Sequence, residues 1–336
     1  MTHTKLYAAV ACLLFVVTAC VADPPPDPST SQQPVINGSP SGDGDYPAAG
    51  ALLVGDSSSG YYFYCSGTLI RPNVVLTAAH CVDPMFIGSD LPSFTLTLDA
   101  NSVSAAEVVG GTAAIPHPNF DINVDPATGV QVWYDIGLVF LDTPVTSVTP
   151  AIIATPTEAA SLAVGTQVEL VGYGLTTVDG DTAGVKYQGV GDVVDIGTSE
   201  VQISMPGQQQ NCYGDSGGPG FVDLGAGRRL LGVVSRGPDP QHSACDLGGI
   251  DTRADAYLEW INNTIAEQID PPDAGVTPDA MPTPDADVTP DAGLDAGNPA
   301  DGDGGGGCGC RTGSSPEGGA VLLLLVAAVV LRRRRA

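Results

Sequence analysis

Between about residues 35 and 268 the chain alternates short β-like runs with turns of Gly, Asp and Pro. AGALLVG, NVVLTA, SFTLTLD, VELVGYG, VQISM and LLGVV are such runs. Short strands at regular spacing suggest a barrel or a sandwich. Composition agrees: helix formers are sparse, while the chain holds 43 Gly and 28 Pro, which favours an all-β domain rich in turns. One helix is predicted near the end of this region, where Ala254, Leu258, Ile261, Ile265 and Ile269 recur at helical spacing.

The two ends read differently. Residues 1–20, MTHTKLYAAVACLLFVVTAC, place a lysine before an apolar run, the pattern of a secretory signal. Val17-Thr18-Ala19-Cys20 also resembles a bacterial lipobox, so Cys20 is either a lipid attachment site or incidental to an ordinary signal peptide. Both readings export the chain to an oxidising compartment, on the cell surface or released from it. Residues 21–34 are a Pro- and Ser-rich leader. From 270 to 307 an imperfect TPDA repeat without basic residues predicts a disordered, self-repelling stalk. Residues 308–336 join Cys308, Cys310 and Arg311 to a short apolar run and a terminal arginine cluster. That combination resembles the C-terminal sorting tags of myxobacterial surface proteins, which implies sorting machinery as a partner; the competing reading is a permanent membrane anchor. The net charge of −26 argues against nucleic acid as a partner, and any membrane contact is expected through the termini alone.

Inside the β-rich region, NCYGDSGGPG (211–220) sets an acid and a serine among glycines. This is either a tight turn or a nucleophile loop in which a substrate carbonyl approaches backbone N–H groups. A serine nucleophile needs a base. Of the four histidines, His3 lies in the signal region, His117 is bracketed by prolines as in a surface turn, and His242 lies in a polar loop. His80, in NVVLTAAHCV, follows an apolar strand and is the candidate base. Its orienting acid is Asp135 in VWYDIGLVFLD, a carboxylate beside a buried run that needs a partner. Asp142, at the far end of that run, reads as a turn acid.

LTAAHC, YDIGLVFL and GDSGGP, in this order and over about 230 residues, resemble the chymotrypsin/trypsin family of serine endopeptidases. The resemblance implies a protease domain over 35–269: two six-stranded antiparallel β-barrels with the site in the cleft between them, then a C-terminal helix. It implies Ser216 as nucleophile, His80 as base and Asp135 as its orienting acid, with the N–H groups of Gly214 and Ser216 as the oxyanion hole. It pairs Cys65 with Cys81 and Cys212 with Cys245. Val35-Ile36-Asn37-Gly38 resembles the family's mature N-terminus, so that Val35's freed ammonium pairs with Asp215 and the uncleaved chain is a zymogen awaiting an activating protease. Pro34 stands where the family usually has Arg or Lys.

The pocket-floor position matches Gln210, with Asn211 beside it; a neutral amide there disfavours strong Arg or Lys preference. Ser235 matches the strand that pairs with substrate. Gly237, and by a looser match Gly249, fall on pocket walls. Arg236 replaces the usual aromatic, and Asp246 and Asp251 are further acids near the pocket segments. No cofactor or metal is expected, the partners are protein or peptide substrates, and the protein is expected to be a monomer. The competing function is a catalytically silent protease-fold binding or adhesion module, which usually lacks a triad residue.

Overall fold

The computed structural model describes residues 35–42, 44–88, 90–175 and 183–269. The leader, stalk and tail expected from the sequence, with Cys20, Cys308 and Cys310, lie outside the described residues.

Among the described residues, thirteen strands form two antiparallel sheets. The first sheet uses β2 (Ala49–Asp56), β3 (Gly60–Arg71), β4 (Val74–Thr77), β5 (Ser93–Thr95), β6 (Gly111–Pro116) and β7 (Gly137–Leu141), in spatial order β5-β2-β3-β4-β7-β6. Its two ends meet only at an isolated bridge between Phe94 and Val109. The second uses β8 (Gln167–Gly172), β9 (Tyr187–Ile196), β10 (Glu200–Ile203), β11 (Pro219–Asp223), β12 (Arg228–Arg236) and β13 (Gly249–Arg253), with β1 (Ser39–Pro40) added at β9. Pairing of β8 with β9 along six residues closes this sheet into a full barrel. The architecture is all-β and chymotrypsin-like; strand pairing closes the second barrel completely and leaves the first partly open.

The strands that read as unbroken apolar runs are buried on both faces. In β7, Leu138 and Phe140 enter a core shared by the two halves of the molecule, while Val139 and Leu141 fill the first barrel. β4 does the same, with Val74 and Leu76 on the shared side and Val75 inside the barrel. Side chains alternate at a period of two, so a strand lying between two cores has no polar face to show. The shared core also takes Val171, Phe221, Leu230 and Val233 from the second barrel. It therefore fixes one barrel against the other and sets the cleft.

Two local expectations changed. The run SFTLTLD is a strand only to Thr95: the Thr97 N–H turns back to Thr95 Oγ1 at 3.2 Å, the Thr97 and Leu98 carbonyls accept from Tyr173 and Lys186, and the Asp99 carboxylate caps a 3-10 turn at Ala100–Ser102. His117 is not in a surface turn. It is buried among Tyr134, Tyr257 and Trp260, with ring centroids 5.0, 5.2 and 4.9 Å away. The prolines around it shape the backbone, but the aromatic partners come from distant segments. Two of them lie on the predicted C-terminal helix and its lead-in: a 3-10 turn at Asp255–Tyr257 runs into Leu258–Ile269, with Ile261 in the shared core and Ile269 exposed at the end.

Candidate active site

The Ser216 loop is stitched to both barrels. The Ser66 N–H donates to the Ser216 carbonyl at 2.8 Å, and the Gly217 N–H to Val234 at 2.8 Å. Cys212 is joined to Cys245 beside the loop. Gly214 has φ +93, and a Cβ there would lie 2.8 Å from the Gly174 Cα and 3.1 Å from the Phe63 ring. Gly217 has φ +76, and a Cβ would fall 2.0 Å from the Thr77 hydroxyl. The glycines thus permit a left-handed backbone pressed against neighbouring chain. This adds packing behind the loop to the two reasons the sequence offered, a tight turn and access for a substrate carbonyl.

Backbone donors in this loop divide into two sets. The N–H groups of Asp215, Gly217 and Gly218 all donate within the protein. Those of Gly214 and Ser216 donate to nothing among the described residues. Two unspent N–H groups flanking a serine can receive a developing negative charge on oxygen.

His80 follows β4, and Cys81 beside it is joined to Cys65. The His80 ring Nδ1 lies 2.8 Å from Asp135 Oδ2, and the His80 backbone N–H donates to Oδ1 at 2.9 Å. Asp135, fully buried, precedes β7, whose apolar run anchors it behind His80 and Ser235, which border the cavity. The Ser235 hydroxyl donates to Asp135 Oδ2 at 2.6 Å, so this serine reaches across from the second barrel to the acid of the first. Its link to Asp135 was not legible in the sequence, where Ser235 read only as a substrate-strand residue. Burial alone would raise the Asp135 carboxyl; the His80 charge, the His80 and Ser235 side-chain bonds and the backbone N–H bring it below the usual carboxylate range. Burial pulls the imidazole down, but the Asp135 charge and hydrogen bond outweigh it, and His80 sits above the ordinary histidine value.

Ser216 and His80 border one cavity of about 330 Å³, without a hydrogen bond between their side chains; such bonds are commonly long before substrate binds and tighten on the complex. Asn211, Arg236, Gly237 and Gly249 border it too. Gln210 does not. It is buried behind the wall, its Oε1 accepts the Gly248 N–H, and its backbone bridges to Ile36. Arg236 forms a two-pronged pair with buried Glu200, at 2.6 and 2.9 Å, and its guanidinium sits 5.1 Å from the Trp133 ring centroid. Asp246 is exposed and pairs with His242 at 2.5 Å. Cys65, His80 and Cys81 are spaced as metal donors would be, but the two sulfurs are bonded to each other and offer no thiolate.

Asp215 points away from the cavity. Its carboxylate accepts the N–H groups of Gly174 and Cys212, each at 2.8 Å, and burial pushes it up to about 7. Val35 is buried in the apolar cluster of the second barrel with Val168, Leu170 and Ile203. It is an internal residue of the chain, so its nitrogen carries no charge. Nearby, Asp251 is fully buried with neither oxygen hydrogen-bonded among the described residues. Burial and the Asp215 charge push it up to about 8.

A family model described as Trypsin matches residues 35–261. Among curated relatives, chymotrypsin-like elastase family member 1 of Canis lupus familiaris is 31% identical over 228 residues, covering 62% of this chain and 84% of that protein. The Macaca fascicularis protein of the same name is 29% identical over 250 residues, covering 69% and 90%. Glandular kallikrein of Sus scrofa is 28% identical over 234 residues, covering 61% and 87%.

Proposed function

Because the chain belongs to the trypsin family, we propose that it is a serine endopeptidase whose nucleophile, base and orienting acid are Ser216, His80 and Asp135. The observation that carries this reading is the buried Asp135 carboxylate, which accepts His80 twice and Ser235 once. A carboxylate so held keeps the proton of neutral imidazole on Nδ1 and leaves Nε2 free as a base. Ser216 Oγ attacks the scissile carbonyl as its proton passes to His80. The resulting oxyanion takes the two unspent N–H groups of Gly214 and Ser216, a donor pair of which each member is typically worth about 2.7–4 kcal/mol in the transition state. His80 then protonates the leaving amine, and water repeats the sequence on the acyl-enzyme.

The uncleaved chain is a zymogen in this reading. Asp215 is a buried acid held by two backbone donors and raised by burial. Cleavage before Val35 would supply the missing cation as an α-ammonium. The leader at 21–34 and the signal pattern at 1–20 support export, and the tail at 308–336 supports attachment to the cell surface, by way of the stalk at 270–307.

A fluorophosphonate probe tests the reading, with the labelled species read by mass spectrometry. Label on Ser216 of a chain starting at Val35, absent in Ser216→Ala, is the expected result. A chain that starts at Val35 and takes no label would overturn it in favour of a silent binding module.

A further inference from the structure

We propose that the cavity beside Ser216 selects substrates with a carboxamide side chain, glutamine or asparagine, on the acyl side of the cleaved bond, and that Asn211 reads it. The proposal rests on the serine endopeptidase reading and deepens it by naming a substrate class.

Asn211 is only 6% exposed. Both ends of its side chain, Oδ1 and Nδ2, are buried without a hydrogen-bond partner among the described residues. It nevertheless borders the cavity that holds Ser216 and His80. Swapping the two ends of the amide leaves the same pair unspent, so the inference does not depend on their assignment. Buried polar groups in folded proteins are nearly always satisfied, and one that is not calls for an explanation. A ligand that completes the bonding is such an explanation here.

The shape of the cavity leaves room for one. A Cβ at Gly237 would meet nothing within 4 Å, and one at Gly249 would only touch Asn211 at 3.6 Å. The side chain that enters must supply an acceptor to Nδ2 and a donor to Oδ1. A carboxamide does both with one planar group.

Charged side chains fit less well. Among the described residues no Asp or Glu borders the cavity, and Gln210 is withdrawn behind its wall, so a lysine or arginine would be an unpaired cation there. Among the described residues at the rim, Arg236 is already matched by both oxygens of Glu200 and His242 by Asp246, so an acidic side chain would find no free countercharge and could not donate to Oδ1. An aliphatic side chain would seal Asn211 dry with two unmet groups. A site built to hydrogen-bond its substrate rejects the isostere lacking that group strongly, and an unmet buried polar group costs on the order of tenfold in an equilibrium.

The test compares fluorogenic peptides that differ only at this residue, cleaved by the activated full chain. Glutamine and methionine have nearly the same length, as do asparagine and leucine; lysine and glutamate cover the ionic classes. The expected result is a kcat/KM at least about tenfold higher for glutamine than for methionine, with lysine and glutamate lower still. Asn211→Val is expected to reverse the glutamine–methionine order. Equal or faster cleavage at methionine or leucine by the unmutated enzyme overturns the inference, as does a first place for lysine or glutamate. In those cases the enzyme still turns over peptide, and the endopeptidase reading stands. No cleavage of any peptide and no fluorophosphonate label would overturn both. The comparison in the unmutated enzyme decides the matter even if the Asn211 variant fails to fold.

Discussion

The two barrels contain very different interiors. The first is packed with Leu52, Leu69, Val75, Phe94 and Val139, and its buried acid, Asp135, lies at the cleft edge with three donors on it. The second encloses Asp251, with Asp215 beside it, and carries buried Glu200 on the face of β10 opposite Val201 and Ile203, which enter its core. Glu200 is matched by Arg236, Asp215 has two backbone donors, and Asp251 has nothing among the described residues. One barrel holds a finished electrostatic arrangement behind the cavity. The other keeps an unfinished one inside. The difference teaches that neighbouring domains of like topology can divide their labour by polarity: the first holds His80 in place, and the second stores an imbalance of buried acids, which in the zymogen reading proposed above a freed α-ammonium would relieve.

Four changes would break or sharpen this contrast. The largest effect is expected in the first barrel. Asp135→Asn keeps the shape of the site but favours the wrong imidazole tautomer, and kcat is expected to fall by about 10⁴ with the circular dichroism spectrum unchanged. In the second barrel, Glu200→Gln leaves the Arg236 charge buried without its counterion. A stability loss of about 3–5 kcal/mol is expected in urea titrations.

Asp251→Asn should act in the opposite direction. The folded chain holds the Asp251 proton up to about 8, against 3.8 for an ordinary aspartate. Stability contributed by that proton is full below about pH 4, declines as pH rises and is gone above about pH 8. The substitution should flatten this decline and raise the urea midpoint at pH 9 by an amount worth about 1–3 kcal/mol. Asp135, held below its usual range, gives the reverse slope, with stability lost as pH falls through its folded value. A variant whose urea midpoint follows the unmutated profile between pH 4 and 9 would remove Asp251 from the contrast. The smallest effect is expected outside both interiors: Arg228→Ala breaks an exposed pair with Glu169 at 2.7 Å, and should cost under about 1 kcal/mol.

Legibility in the sequence followed the range of the interaction. VWYDIGLVFLD announced a buried strand because its own residues alternate between two cores, and the loop around Ser216 announced itself through its glycines. His117 misled, since its flanking prolines are local while the rings that bury it arrive from Tyr134, Tyr257 and Trp260. Asn211 read as the neighbour of a floor residue; folding turned Gln210 onto the Gly248 N–H and left Asn211 at the cavity. Ser235 and Asp135 are 100 positions apart, and no period or motif connects them. What sequence pattern conveys is which faces are buried. Which polar groups converge is decided by how the two barrels dock.

The pairing of Arg236 with Glu200 also reaches the chain ahead of Asp135. Glu200 accepts the Gln131 N–H at 2.7 Å, Ser199 donates to the Gln131 carbonyl at 3.1 Å, and Arg236 donates to the Gly129 carbonyl at 3.1 Å. The Gly129 N–H is itself spent on Pro238 at 2.7 Å. A peptidase must bind its victim as an extended strand, through free backbone donors and acceptors. For the endopeptidase proposed above, a stretch whose Gly129 and Gln131 backbone groups are already engaged is a poor substrate strand for a second copy, and the Arg236–Glu200 clasp would guard it against self-digestion.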